Sequence, residues 1–324
     1  MKGDAAVGVD IGGTKIAAAL VGRDGLLGDL RVIPTEARGG GSATLRRATD
    51  LALDVVAGSG MTAPAAIGVA SGGWMERSSG RVVLATNLLP GWSGIDLRAE
   101  FERASGWPAV VINDVHAMAV AEARLGAGIG RRVCLTVAVG TGIGGAITVA
   151  GQLFEGAHGM AGALGHIRFR AGGARCSCGR RGCIEAHASG PAIARSFGRC
   201  AGLKKSQIGL QDVVNAATSS DPRLRACAEK ATATAGSALG QILGGVANAI
   251  DPDLIVLGGG AALALGEEFL GAIQAAVADT VLRPIRVSIV PVRLGTGGGV
   301  IGAGLVALDS LASVAGQSSA APCR

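Results

Sequence analysis

The chain has 324 residues, 49% of them apolar and 17% charged, which excludes a disordered chain and fits two domains of ordinary size. The formal net charge is +6, yet aromatic residues make up only 2% and tyrosine is absent. A base-stacking nucleic-acid surface is therefore not expected, and a small phosphate-bearing molecule is the easier partner to defend.

In chain order, residues 5–22 read as a β-hairpin. A strand is expected over 65–72, and another over 108–115 with a helix from Ala117 to about Leu125. A second hairpin is expected over 133–149. Residues 194–250 read as mainly helical. A buried strand running into a glycine turn covers 251–260, a strand 287–295 and a terminal helix 297–314. The tail 315–324 reads as disordered. Strands alternating with helices predict an α/β chain. The boundary is placed near residue 120: a smaller N-terminal α/β domain over 1–120, with a helix at about 298–316 packing back on it, and a larger domain over 121–297. Two uncharged windows, 133–151 and 231–250, are long enough to cross a bilayer. A Gly/Thr turn interrupts the first, and Thr, Ser, Gln and Asn interrupt the second, so no membrane association is expected. No apolar leader precedes Asp10, and the seven cysteines are read as those of a reducing cytoplasm, where clustered cysteines mean metal rather than disulfides.

Three glycine-rich turns each follow an apolar strand: DIGGTK (10–15), GTGIGG (140–145) and LGGG (257–260). None is a Walker A or Rossmann fingerprint. Glycine lets backbone N–H groups approach phosphate oxygens, threonine adds a hydroxyl, and the opening aspartate suits Mg2+. Any one turn reads equally as a hairpin set by backbone geometry; the set of three favours phosphate binding. The candidate phosphate, Mg2+ and nucleotide residues are Asp10, Gly12, Gly13, Thr14 and Lys15, then Gly140, Thr141, Gly142 and Gly144, then Gly258, Gly259 and Gly260.

The stretch GALGHIRFRAGGARCSCGRRGCIEAH (162–187) contains His166, Cys176, Cys178 and Cys183. One imidazole and three thiolates complete a closed tetrahedral zinc site. The C-x-C spacing is tighter than in common zinc fingers. A redox role is the weaker reading, because CSC is not C-x-x-C. Arg175, Arg180 and Arg181 offset the local negative charge. Cys134, Cys200 and Cys227 read as ordinary core or surface cysteines, and His158 and His187 as unspecialised. Asn113 and Asp114 end a Val/Ile strand, where α/β proteins place ligands. Asp114 reads either as a general base or as a helix N-cap.

In this order and spacing, DIGGTK, GTGIGG and LGGG resemble the two phosphate motifs and the adenosine motif of the actin/hexokinase/Hsp70 superfamily. ATNLLPGWSGIDL, VINDVHAMAVAEA and the H…CxCGxxGCxE pattern narrow the resemblance to the ROK family of bacterial sugar kinases and repressors, from about Val7 to Leu308. The resemblance implies a two-domain actin/hexokinase-like (ribonuclease H-like) fold with an interdomain active-site cleft. It also implies a cytoplasmic homodimer or homotetramer that uses ATP, Mg2+ and a structural Zn2+. The expected reaction is phosphorylation of the primary (6- or equivalent 7-) hydroxyl of a hexose or hexose-like ring. Asp114 then matches the catalytic base. Gly72, Asn87, Asn113, His166 and Glu185 match sugar-contacting positions. A repressor is not expected, because six residues precede Val7 and leave no room for a DNA-binding domain. Polyphosphate remains open as donor.

Two departures from the family pattern bear on the acceptor. The usual Glu-x-Gly-His is Ala163-Leu164-Gly165-His166 here, so a carboxylate that grips ring hydroxyls is missing, worth ~1–3 kcal/mol per lost bond. A poor glucokinase, a kinase for another acceptor and a silent sensor are all open; an amino or N-acetyl sugar or a C7 cyclitol fits best. SGGWMER replaces the usual Pro-Gly-Pro turn, and Trp74 either reshapes the pocket edge or covers a loop.

Overall fold

The computed structural model describes residues 5–76, 78–85, 89–203 and 208–318. The chain forms two compact units. The first comprises Met1–Gly130, Gly151–Met160 and Arg293–Arg324; the second comprises Arg131–Ala150 and Ala161–Val292.

The first unit opens with β1 (Ala6–Ile11), β2 (Lys15–Gly22), β3 (Gly25–Leu26), β4 (Arg31–Pro34) and α1 (Gly41–Gly58). It continues with β5 (Ile67–Ser71), β6 (Trp74–Met75), β7 (Val82–Leu84), α2 (Leu97–Ser105), β8 (Ala109–Asn113) and α3 (Asp114–Leu125). Its main sheet runs β3-β2-β1-β5-β8, with β4 also on β2. β1, β5 and β8 are parallel, in the register Asp10↔Ala70↔Ile112. A parallel central strand is covered on both faces, which explains the near-continuous apolar runs of β1 and β5.

The second unit begins with β9 (Val133–Val139) and β10 (Ile143–Val149), an antiparallel hairpin. β11 (Gln152–Phe154) belongs to the first unit. The second resumes with α4 (Glu185–Ala188), α5 (Gly190–Ala201), α6 (Leu210–Ala217), α7 (Pro222–Ile250), β12 (Leu254–Gly258), α8 (Gly260–Thr280) and β13 (Ser288–Pro291). Its strands run β10-β9-β12-β13, and one core joins them to the helices through Leu135, Val137, Ile193, Phe197, Leu239 and Phe269. α9 (Gly298–Ser318) returns to the first unit.

α9 packs on the first sheet at contact distance. A side chain at Gly68 would overlap the Ala303 carbonyl, so only glycine admits the helix there. Val300, Ile301, Leu305 and Leu308 of α9 are buried. Glu122 fastens the segment before α9. Its buried carboxylate accepts the N–H groups of Ala127, Arg293 and Leu294 at 2.8–2.9 Å, a bonded state that justifies burying a charge.

Several expectations need correction. α3 starts at Asp114, three residues earlier than expected, because the Asn113 side chain caps it by accepting from Val115 N and His116 N. α9 continues through Ser318, so 315–318 of the expected disordered tail are helical; 319–324 lie outside the described residues. The strand expected over 287–295 ends at Pro291. Window 133–151 is the β9–β10 hairpin, and 231–250 lies within α7. Gly260–Thr280 and Gly295–Ala312 are the two described helices long and apolar enough to cross a membrane; both carry core side chains, including Phe269, Ile273 and Leu305.

The largest correction concerns Cys200 and Cys227, which were expected to be free. They form a disulfide between α5 and α7. The two helices pack with these Cα atoms 5.6 Å apart, inside the range a disulfide spans. A link across 27 residues is worth on the order of 3 kcal/mol in loop entropy.

Two outcomes follow. Gly68→Ala should lower the unfolding free energy by about 2–3 kcal/mol in urea denaturation, by forcing α9 off the sheet. Thiol titration of the protein denatured with chelator but without reductant should count two fewer thiols than its seven cysteines; reductant should restore them.

Candidate functional site

In the first unit the candidate residues gather at the carboxyl ends of β1, β5 and β8. Asp10 is the fifth residue of β1, and Asp114 follows β8 as the first residue of α3. One Asp114 oxygen accepts from Val115 N at 2.9 Å. The other, Oδ2, lies 3.5 Å from where a Gly72 side chain would begin, so Gly72 keeps the approach to it clear. The Asn113 amide donates to Gly73 O at 2.9 Å, which ties the segment after β5 to the end of β8.

Burial is the largest force on both carboxyls. It raises Asp114 above the ordinary aspartate range, against weaker lowering from the Val115 N–H and the His116 charge. Burial, reinforced by the Asp114 charge, pushes Asp10 up to about 7, with Lys15 pulling the other way. The start of α9 meets Asp10 so closely that any side chain at Gly299 would strike its carboxylate. Two desolvated acids, one of them raised by the other's charge, form a natural seat for a divalent cation. His116, which is buried and acts electrostatically on Asp114, was not picked out from the sequence; its place two residues after Asp114 was the available signal.

The DIGGTK turn is closed by Gly12 N to Lys15 O at 3.0 Å and braced by the Thr35 hydroxyl, which donates to Gly12 O at 2.6 Å. Gly12 and Gly13 are half-buried, while Thr14 and Lys15 are exposed. The turn thus presents a hydroxyl and an ammonium to solvent.

In the second unit Glu185 organises the site. Its Oε2 accepts from Ile143 N at 3.1 Å, and its Oε1 accepts from the Ser177 hydroxyl at 2.6 Å. It also fills the space beside Gly142. One carboxylate therefore joins the glycine turn 140–145, which holds Gly140, Thr141, Gly142 and Gly144, to the cysteine loop. Ser177 was missed by the sequence reading. Gly140 is further held by Gly190 N at the start of α5. Gly258 ends β12, Gly259 (φ 88) packs on Val139 backbone, and Gly260 opens α8. That exposes a glycine-flanked helix N-terminus, a feature suited to anions.

His166 ends a short 3-10 turn, Leu164–His166, with Leu164 buried and Ala163 exposed. The ligand atoms of His166, Cys176, Cys178 and Cys183 all lie within 4.8 Å of one another. Cys178 Sγ and Cys183 Sγ are 3.8 Å apart, and Cys176 Sγ is 3.7 Å from His166 Nδ1. A tetrahedron with metal–sulfur bonds near 2.3 Å has edges of about 3.8 Å, so the donor set and its spacing fit zinc. Burial pushes the Cys176 thiol up to about 12, while its neighbour Cys178 is lowered. Asn87 lies outside the described residues.

The family model described as the ROK family matches residues 6–310. The chain is 34% identical over 294 residues to a glucokinase of Halalkalibacterium halodurans, covering 86% of this chain and 83% of that protein. It is 32% identical over 302 residues to an N-acetylmannosamine kinase of Escherichia coli, covering 93% and 97%. The crystal structure of a ROK family glucokinase from Streptomyces griseus, in complex with glucose and AMPPNP, superposes with a TM-score of 0.79 at 29% identity, over 94% of this chain and 99% of that one.

The Asp10 carboxyl sets a pH test. Its folded value of about 7 exceeds the ordinary aspartate value of 3.8, so the stability tied to its protonated form is fully present below about pH 4 and lost as pH rises through 7. In metal-free urea denaturation, Asp10→Asn should gain about 2–4 kcal/mol over the parent at pH 8 and almost nothing at pH 4.

Proposed function

The chain belongs to the ROK family, and from that premise we propose an ATP- and Mg2+-dependent kinase for the primary hydroxyl of a hexose or hexose-like ring. It is a sugar kinase with the actin/hexokinase-like fold of its structural neighbours. The observation that carries the mechanism is the half-buried, desolvated Asp114 carboxylate beside Gly72, at the strand ends that also hold Asp10.

Phosphoryl transfer asks for positioned phosphates, charge neutralisation and a group that orients the nucleophile. Asp114 accepts the proton of the attacking hydroxyl, and burial makes it a stronger base than a solvated aspartate. Asn113 and Gly72 border the acceptor, with Asn87, His166 and Glu185 as its further expected contacts. The Thr14 hydroxyl and Lys15 ammonium meet the phosphates of the donor, together with the backbone of Gly12, Gly13, Gly140, Thr141, Gly142 and Gly144. The turn Gly258, Gly259, Gly260 takes the adenosine end. Asp10 and Asp114 form the carboxylate setting that a divalent cation fits; when bound, Mg2+ neutralises phosphate charge. His166, Cys176, Cys178 and Cys183 would hold a structural Zn2+ with all four of their donor atoms. Metal bound there would fix the loop that Ser177 joins to Glu185. A cytoplasmic homodimer or homotetramer is the expected form.

The acceptor follows from Ala163. Its methyl group cannot accept hydroxyl hydrogen bonds, which disfavours glucose and favours an amino or N-acetyl sugar or a C7 cyclitol. A second reading, an ordinary glucokinase using ATP or polyphosphate, is favoured by the glucokinase among its relatives.

The test is coupled ADP release with Mg-ATP over glucose, mannose, amino and N-acetyl hexoses and C7 cyclitols. Asp114→Asn should lower kcat about 10²–10⁴-fold at unchanged circular dichroism. Ala163→Glu should move the kcat/KM preference toward glucose by about tenfold or more. Silence of the unmodified protein over the whole panel would contradict the kinase assignment.

A further inference from the structure

The hairpin β6–β7 leaves three large apolar side chains exposed, Trp74, Val83 and Leu84, of which Trp74 and Leu84 are paired. β5 ends at Ser71, whose buried hydroxyl accepts from Trp92 Nε1 at 3.0 Å. Gly72 follows beside Asp114. Gly73, at φ +111, is held between the Asn113 amide and Leu84 O: the amide donates to its carbonyl, and a side chain on it would come within 2.6 Å of Leu84 O. The next residue is Trp74, paired across the ribbon with Leu84.

Directly opposed residues of an antiparallel pair share one face. Met75 pairs with Val82, and the register shifts between Trp74 and Met75, leaving Val83 as the extra residue. Without that irregularity, Val82 and Leu84 would point the same way. With it, Val82 is fully buried and Met75 packs on the core, while Trp74 is 36% and Leu84 61% exposed. Folding is served by Met75 and Val82. The bulge turns the other pair outward, and bulges that re-aim side chains recur next to active sites. Of the three tryptophans, Trp92 is buried and Trp107 partly so. Trp74 lies two residues from Gly72, so its Cα is within about 7 Å of the glycine that borders Asp114.

We propose that Trp74 and Leu84 form an apolar ledge beside Asp114 that receives a neutral apolar substituent of the acceptor, so that the chain prefers rings bearing an N-acyl or O-alkyl group over the bare hexose. The inference rests on the sugar-kinase reading and narrows its substrate class. A ledge of this kind supplies contact area and no hydrogen-bond acceptor, so it rewards a methyl group that water solvates poorly and leaves hydroxyls unrewarded. It acts on binding and not on the transferred phosphoryl group, so its mark is on KM.

The experiment pairs kinetics with a readout that needs no turnover. Tryptophan emission of the whole protein with Mg-AMPPNP is followed during titration with N-acetylmannosamine, mannosamine or glucose. The N-acetyl sugar should shift or quench the emission, and Trp74→Leu should abolish that response. Trp74→Ala should raise KM for the N-acetyl sugar about tenfold, with kcat and the glucose KM each within about threefold; Trp74→Phe should recover most of the loss and guards against a folding defect. An equal KM rise for all acceptors, an emission response retained in Trp74→Leu, or stronger binding of the charged amino sugar would overturn the ledge. An N-acetyl-specific emission change without phosphorylation of any acceptor would support the ledge while removing the kinase assignment.

Discussion

Two half-buried carboxylates, with the Asp114 charge and burial together raising Asp10, are the constraint on which the first unit turns. Asp10 and Asp114 stand at the ends of β1 and of β8, with β5 between them. The parallel register fixes their separation, and the start of α9 closes on Asp10. A fold built for stability alone would place neutral groups there. The cost of ionising Asp10 is carried by the rest of the unit: the two-sided burial of β1 and β5, the close seating of α9 over Gly68 and the three N–H bonds to Glu122. The arrangement is ready for a cation and for a proton, which is what the proposed chemistry asks of it.

The second unit solves a different problem, holding glycine-rich backbone in place without covering it. The turn 140–145 has one core side chain of its own, Ile143, to anchor it. Glu185 anchors it by a backbone bond to Ile143 and passes the load to Ser177, inside the cysteine loop. Metal held by His166, Cys176, Cys178 and Cys183 would stiffen the loop from its other side. α5 grips the same turn through Gly190 and is itself bonded to α7 by the Cys200–Cys227 disulfide. The turn is thus supported from two directions, each by a strong local bond.

The sequence made the β1–β2 and β9–β10 hairpins, β5, β8 and β12 legible, because apolar runs ending in Gly, Asn or Asp mark buried strands. Three longer helices were missed, although Leu45, Ala48, Leu51, Ala52, Val55 and Val56 repeat at helical spacing in α1 and Asp96 and Gly106 cap α2. α1 starts after Gly40, with no side-chain cap. α2 is short and polar in composition. α8 begins inside the glycine turn and contains a non-helical Gly266, so glycine there reads as a turn and not as a helix start. The four metal-type ligands were legible because they are close in sequence and chemically distinctive, and the structure brings their atoms together. The Cys200–Cys227 bond was not legible, since it depends on how α5 and α7 pack. The mutual effect of Asp10 and Asp114 needs the sheet register, the double use of Glu185 needs the turn and the loop together, and the outward turn of Trp74 needs the bulge. Each residue type was visible in the sequence; the neighbours that give it a task were not.

The most direct test of the account is carbon-13 NMR of the aspartate carboxyls across pH, with the Asp10 signal assigned by its loss in Asp10→Asn. Asp10 should titrate near 7 in the free protein. Its midpoint should fall toward the ordinary aspartate range in Asp114→Asn and again when Mg-AMPPNP is bound. An Asp10 midpoint near the ordinary value in the free protein, unmoved by either change, would contradict the coupled, cation-seeking pair.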